Sequence, residues 1–93
     1  MPSFTTRVEL HGADWEDYQL LHKKMAAQGF SRTITSDDGK RYNMPPAEYN
    51  FDGPVDRNQV LAKAKSAASQ VKTSFAAFVT ESAGRIWSGL DAA

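Results

Sequence analysis

Two histidines and a pair of aspartates are the residues of this sequence most suited to proton transfer or metal binding. His11 lies at the end of an alternating stretch, and an imidazole there could transfer protons near neutral pH. Asp14 and Asp17 follow it closely, so nitrogen and oxygen ligands for a divalent ion are near one another. His22 falls on an apolar helical stripe and is expected to pack. The simpler interpretation of the aspartates is a helix cap with first-turn charge, so no metal is predicted.

A second group of residues could contact nucleic acid. Lys40, Arg41 and Tyr42 follow an acidic turn, and Arg32 lies across the hairpin that this turn predicts. Cations and an aromatic ring on one small surface suit phosphate contacts and base stacking. The alternative is a solvated hairpin of mixed charge.

Other chemistry has little support in the sequence. Asp37 and Asp38 precede Gly39, and exposed carboxylates at a hairpin tip are well solvated, so a turn explains them better than acid–base catalysis. There is no Walker loop, dinucleotide fingerprint, zinc-ligand spacing or nucleophile elbow. We therefore predict no cofactor.

Length and composition indicate one neutral domain spanning residues 1–93. The chain has 11 basic and 11 acidic residues and no cysteine, so neither a global electrostatic field nor a disulfide is expected. No basic and apolar leader opens the sequence, and no apolar run approaches the roughly 18 residues of a membrane span. These features favour a soluble cytoplasmic protein without a membrane partner.

Hydrophobic periodicity predicts a strand over residues 4–10, because Phe4, Thr6 and Val8 alternate with polar residues. A helix over 15–28 follows, with a stripe that should face the sheet and a left-handed end at Gly29. That stripe comprises Trp15, Tyr18, Leu21, His22, Met25 and Ala26.

The rest of the chain predicts three more strands and one more helix. A strand over 30–36, a returning extended arm at 40–42 and a strand over 48–51 precede a helix that Asp56 and Gln59 should cap. Its buried stripe is Val60, Ala64, Ala67, Ala68 and Val71. The fourth strand, 75–80, is apolar on both faces, and residues 82–93 form a tail or short helix.

The element order β-α-β-β-α-β predicts an α+β fold. With right-handed crossovers, this element order gives a ferredoxin-like sandwich, which is a four-stranded antiparallel sheet with two helices on one face. Strands one and three should be central. The other face should carry Thr5, Arg7, Glu9, Glu48 and Asn50, together with one side of the fourth strand.

Several short sequence segments resemble those of the GhoS-type antitoxins of type V toxin–antitoxin systems, over residues 4 to about 90. They are the polar start of the first strand at 5–8, the Gly29-Phe30-Ser31 entry to the second, the Asp38-Gly39 turn before a basic residue, and the aromatic strand that ends at Phe51. The sequence also resembles the dimeric nuclease-fold subunit of CRISPR adaptation, except that the acidic residue after the first strand, Asp14, is displaced behind residues 11–13.

The resemblance implies a small endoribonuclease that cleaves messenger RNA. Arg7, Arg32 and Arg41 would then bind phosphates, and His11 would transfer a proton. The competing interpretation is a non-catalytic binding or homodimeric assembly module, which the lack of a clear acid–base pair favours. We also expect a homodimer formed through the fourth strand and the tail, because Phe75 and Phe78 lie on opposite faces of that strand.

Overall fold

The computed structural model describes residues 2–93, and two helices and five strands form within them. Their order is β1 (Ser3–Leu10), α1 (Trp15–Ala27), β2 (Thr33–Thr35), β3 (Arg41–Asn43), β4 (Glu48–Asp52), α2 (Arg57–Ser69) and β5 (Phe75–Glu81). Both helices lie where periodicity predicts them, and the returning arm of the prediction is β3. The predicted α+β class is confirmed.

The main sheet has three antiparallel strands in the order β4-β1-β5. Thr5 pairs with Asn50 of β4, and Arg7 pairs with Phe78 of β5, which places β1 at the centre as predicted. The residues of β1 alternate between a buried face toward the helices and a second face, called here the open face. The open face carries the polar set expected from the sequence, including Thr5, Arg7 and Glu9.

The four-stranded sheet of the prediction is not formed, because β2 and β3 make a separate two-stranded sheet. One bridge connects it to β4: Ser31 and Asn50 exchange backbone hydrogen bonds of 2.8 and 2.7 Å. Just beyond, the Ser31 hydroxyl accepts a hydrogen bond from the Thr33 amide at 3.1 Å and bends the chain. The predicted strand over 30–36 is therefore interrupted, and β4 is the edge of the main sheet instead of a central strand.

The core lies between the main sheet and the helices. All of the predicted α2 stripe is buried except Val71, which is half-buried. On α1, Leu21 and Met25 are fully buried, but Trp15 is 72% exposed and Ala26 is also exposed, contrary to the prediction. Helical side chains lean toward the N-terminus, so the side chain of a first residue such as Trp15 extends past the helix end.

Both predicted helix starts are confirmed as reciprocal capping boxes. The Asp14 carboxylate accepts from the Asp17 amide at 2.9 Å, and the Asp17 carboxylate accepts from the Asp14 amide at 3.1 Å. Asp56 and Gln59 repeat the arrangement at the start of α2. At the other end of α1, Gly29 adopts the predicted left-handed conformation, with φ of 95°.

The tail of residues 82–93 is an extended arm that turns back across the molecule, and the structure gives it no helix. Its last residues lie along β3, where the Asn43 amide donates to Asp91 O at 2.9 Å and the Ala93 amide donates to Arg41 O at 3.0 Å. The tail therefore covers part of its own chain, and its end lies beyond β1 and β4 from β5. Among residues 2–93, no helix is both long and apolar enough to cross a membrane.

Candidate nucleic-acid interface

His11 lies at the end of β1 and is held by the residue before β5. Its amide donates to Ser74 O at 3.1 Å, and its ring Nδ1 lies 2.8 Å from Ser74 Oγ. The side chain is exposed, so a ligand can reach it. An eight-residue strand is about 26 Å long, and the β2–β3 hairpin lies near Ser3, at the other end of β1. The structure therefore does not bring His11 together with the hairpin cations.

The aspartates after His11 are engaged in structural contacts. Besides its part in the cap, Asp17 forms a 3.3 Å ion pair with Lys72. The hydrogen bond from the Asp14 amide lowers the pKa of the Asp17 carboxyl, and Lys72 lowers it further. Within residues 2–93, no three His, Asp or Glu side chains are grouped so as to hold a metal ion. The cap accounts for these two carboxylates.

Arg7 lies on the open face between two glutamates. Its guanidinium is 2.9 Å from Glu9 and 3.5 Å from Glu48, and the hydrogen bond to Glu9 raises the pKa of Arg7. Two carboxylates beside one cation give this part of the open face a local negative charge. A phosphate would have to compete with both glutamates for Arg7.

Arg32 is half-buried beside a histidine–tyrosine pair. His22 Nδ1 lies 2.5 Å from the Tyr49 hydroxyl, and Tyr49 is completely buried. Burial lowers the pKa of His22, and the charge of Arg32 lowers it further, whereas burial raises the pKa of Tyr49 far above its ordinary value. The Arg32 Nε atom is itself buried and has no hydrogen-bond partner within residues 2–93. His22 thus packs as predicted, and Arg32 lies apart from the other hairpin cations.

Lys40, Arg41 and Tyr42 are adjacent in sequence, but strand alternation divides them. Arg41 is exposed and donates from Nη2 to Thr33 Oγ1 at 2.9 Å, while Tyr42 shares the opposite face of the hairpin with buried Ile34. Lys40 is exposed at the turn, where its amide donates to Asp38 at 3.1 Å. The two exposed cations therefore do not form one surface with the Tyr42 ring.

The Tyr42 ring contacts a residue that the sequence analysis did not select. The ring centroids of Tyr42 and Trp87 are 5.5 Å apart, with an interplanar angle of 64°. The tail delivers Trp87 to the hairpin, and Arg85 two residues earlier anchors this segment to the open face. Ile86, Trp87 and Leu90 are apolar residues at helix-like spacing in the tail, but nothing local in the sequence indicates where they pack.

A cleft of about 650 Å³ lies between the hairpin and the tail, and we call it the hairpin–tail cleft. Its walls combine aromatic, hydroxyl and charged side chains. They come from Ser3, Thr35, Ser36, Asp37, Asp38, Tyr42, Ser82, Gly84, Arg85, Ile86 and Trp87. Hydrogen bonds from the Ser36 hydroxyl and the Lys40 amide lower the pKa of Asp38, so its carboxylate stays charged at neutral pH.

Comparison with known proteins found no match for this chain among protein-family models, curated proteins or solved structures. The similarity to type V antitoxins therefore stays a prediction. What the chain can bind must be inferred from the chemistry of the hairpin–tail cleft. With Asp37, Asp38 and Arg85 charged, its walls carry one more negative charge than positive, which suits a neutral ring with hydrogen-bond donors better than a phosphate chain.

Proposed function

We propose that the protein binds unpaired RNA and that the hairpin–tail cleft accepts one base of it. The observation that carries this proposal is the contact between Tyr42 and Trp87 in the wall of the cleft. Both side chains are only half-buried, so part of each ring can contact a ligand. Flat bases stack on such rings, and single-stranded RNA offers bases that are free to leave their neighbours.

The charges of the cleft suggest how RNA would be oriented. Asp37 and Asp38 can accept hydrogen bonds from the N–H groups on the pairing edge of a base, and guanine presents two such groups side by side. The same carboxylates repel phosphates from the interior. Lys40 and Arg41 are exposed and do not line the cleft, but Lys40 lies at the turn that contains Asp37 and Asp38, so these cations would contact the backbone of the strand outside the base site.

The arrangement of the strands supports a ferredoxin-like description of the fold. The order β5-β1-β4 matches that of three strands of such a sheet, and the isolated Ser31–Asn50 bridge lies on the edge where a fourth strand would pair. With this description, the similarity to type V antitoxins favours messenger RNA as the ligand. The neutral total charge implies that binding depends on the cleft more than on a general basic surface.

Trp87 provides a direct test of base stacking. The second tryptophan, Trp15, is 72% exposed on α1, so Trp15→Phe leaves Trp87 as the sole tryptophan at small cost in stability. In that variant, short unpaired RNAs should quench the Trp87 fluorescence, G-containing sequences most strongly, and a blunt RNA duplex should not. No quenching, together with no RNA binding by fluorescence anisotropy at low salt, would overturn the proposal.

Matched variants separate stacking from phosphate contacts. Tyr42→Leu should weaken binding about 5- to 150-fold, the equivalent of losing a base–aromatic contact of about 1–3 kcal/mol, whereas Tyr42→Phe should retain it. The double variant Lys40→Ala/Arg41→Ala should weaken binding to all sequences and reduce its salt dependence. Equal affinities for Tyr42→Leu and Tyr42→Phe would exclude the cleft as the base site.

A second candidate function is endoribonuclease activity, which the exposed His11 ring favours. In this reaction His11 would accept the proton of a ribose 2′-hydroxyl as the 2′-oxygen attacks the adjacent phosphorus. The bond from phosphorus to the 5′-oxygen breaks, and the 5′-oxygen leaves with a proton from water. His11→Ala should abolish cleavage and stay folded, while His22→Ala should chiefly lose stability. Full cleavage by His11→Ala would leave this reaction without its base. Absence of cleavage by the unaltered protein, with magnesium or with EDTA, would favour the binding module.

A further inference from the structure

The outer edge of β5 has no neighbouring strand within residues 2–93. β5 is the last of the three strands of the main sheet, and it runs for seven residues. Edges of this kind attract other strands unless proline, lysine or a bulge blocks them. The sequence of β5, FAAFVTE, has neither proline nor lysine, and its pairing with β1 is continuous from Phe75 to Glu81.

The hydrogen bonds to β1 determine which backbone groups lie on that edge. The His11 amide donates to Ser74 O, and the Ser82 amide donates to Ser3 O. With the continuous register between these pairs, the even-numbered residues of β5 direct their N–H and C=O groups toward β1. The odd-numbered residues therefore direct theirs outward, and these are Phe75, Ala77, Val79 and Glu81.

Apolar side chains accompany this edge on both faces of the sheet. Phe78 is 69% exposed on the open face, opposite Arg7. On the helix side, a groove of about 390 Å³ lies between β5 and the start of α2. Asp56, Arg57 and Leu61 line it beside Ala77 and Val79.

We propose that the β5 edge binds the β5 edge of a second copy of this chain, antiparallel and with Phe78 opposite Phe78. The two three-stranded sheets would then become one continuous sheet. In this register Ala77 of each copy faces Val79 of the other, and these outward-directed residues exchange backbone hydrogen bonds. Phe78 occupies the non-hydrogen-bonded position, where side chains approach most closely, so the two rings can pack together on the open face.

The charges beside β5 favour a second copy over a charged peptide. Asp56 and Arg57 are adjacent at the start of α2, so the groove has no net charge that a basic or acidic partner would neutralise. A two-fold axis at Phe78 brings the starts of both α2 helices together. Asp56 then lies near the partner's Arg57, and the reverse pair forms by symmetry.

This interface differs from the one that the sequence predicted. The tail, which was expected to contribute, is bound to β3 and to the open face of its own subunit. From Arg85 onward it crosses β1 and β4 toward β3, so it does not lie along the outer edge of β5. Of the predicted interface, the proposed dimer uses β5 and not the tail. It leaves the hairpin–tail cleft of each subunit open.

Sedimentation over a range of micromolar concentrations tests the proposal. The mass should rise from that of the 10.3 kDa chain to twice that value. Phe78→Lys should remain monomeric, because two lysines would face one another, while Trp15→Lys, at an equally exposed site, should still dimerise. A mass that stays near 10.3 kDa at every concentration would overturn the proposal, as would a dimer that Phe78→Lys leaves intact.

Complementary variants test the register. Phe78→Lys and Phe78→Glu should each be monomeric alone and should dimerise when mixed, because residue 78 faces residue 78 only in the proposed pairing. Failure of the mixture to dimerise would contradict that register. Val79→Pro removes an outward N–H, so it should give a folded monomer, whereas Thr80→Pro removes an N–H directed at β1 and should unfold the chain.

Discussion

Arg85 joins the tail to the main sheet through Asn50. Its Nη2 atom donates to Asn50 Oδ1 at 2.7 Å, and its Nε atom donates to Thr5 Oγ1 at 2.8 Å. Asn50 is only 8% exposed, so its carbonyl oxygen depends on this donor. Burial lowers the pKa of Arg85, an effect that nearby Asp52 opposes. This anchor holds the wall of the hairpin–tail cleft that contains Trp87.

Removing the anchor should release the tail. Arg85→Met leaves Asn50 Oδ1 buried without its partner, which should cost about 1–3 kcal/mol of unfolding free energy. Hydrogen exchange of the Asn43 and Ala93 amides, which are bonded in the tail–β3 pairing, should accelerate. Lys23→Met, at an exposed position of α1, should change neither quantity. Unchanged exchange in Arg85→Met would show that the tail is held by other contacts.

His22 should make stability depend on pH just below neutrality. Its pKa is lowered in the folded protein, so protonation favours the unfolded chain, whose histidine titrates near 6.5. The contribution is complete above about pH 6.5 and is lost as the pH falls toward the native pKa. Urea unfolding should therefore have a lower midpoint at about pH 5 than at about pH 7.5.

Two variants assign this dependence on pH. His22→Asn places an amide near the position of Nδ1 and should reduce the dependence of stability on pH. His11→Asn leaves His22 in place and should retain this dependence. The pKa values of Asp17 and Asp38 are lowered, so both carboxylates stay charged over this range. The same pH dependence in His22→Asn as in the unaltered protein would contradict the assignment.

Gly29 should tolerate a side chain less well than Gly39, although both have positive φ, of 95° and 85° respectively. A Cβ atom at Gly29 would lie 3.2 Å from Phe51 Cε2, whereas one at Gly39 would have no neighbour within 4 Å. Gly39→Ala should thus lower the free energy of unfolding only by the roughly 1–2 kcal/mol that the left-handed conformation costs an alanine. Gly29→Ala should lose more, because Phe51 must move. Urea denaturation of both variants measures the difference, and equal losses would show that Phe51 adjusts freely.

Asp14 should act as a cap and not as a metal ligand. Asp14→Ala should cost about 1 kcal/mol of stability, whereas Asp14→Asn should retain most of it because an amide oxygen can accept the same hydrogen bond. Magnesium should raise the melting temperature of neither the unaltered protein nor Asp14→Asn. A magnesium-dependent rise that disappears in Asp14→Asn would restore the metal site that the sequence left as an alternative.

The sequence predicted those parts of the fold that depend on near neighbours. The caps at Asp14 and Asp56 use an acceptor and an amide three residues apart, and β1 and both helices follow from periodicity. The set of open-face residues was also predicted, because alternation along a strand determines which side chains share a face. Alternation also places Arg41 and Tyr42 on opposite faces of the hairpin, although the predicted site grouped them because they are adjacent in sequence.

Contacts between distant residues were decided only by the tertiary structure. Arg85 lies 80 residues from Thr5 and 35 from Asn50, and no local pattern indicates that the tail crosses the open face to complete the hairpin–tail cleft. The hairpin is separate from the main sheet because Ser31 bends the chain after a single bridge to Asn50. Strand propensity alone does not predict whether the chain continues to pair with β4 or bends at this point. The sequence by itself determined the elements and their faces, since neighbouring residues form them. The hairpin–tail cleft and the free edge of β5 depend on which segments far apart in the chain pack together, so only the tertiary structure decided them.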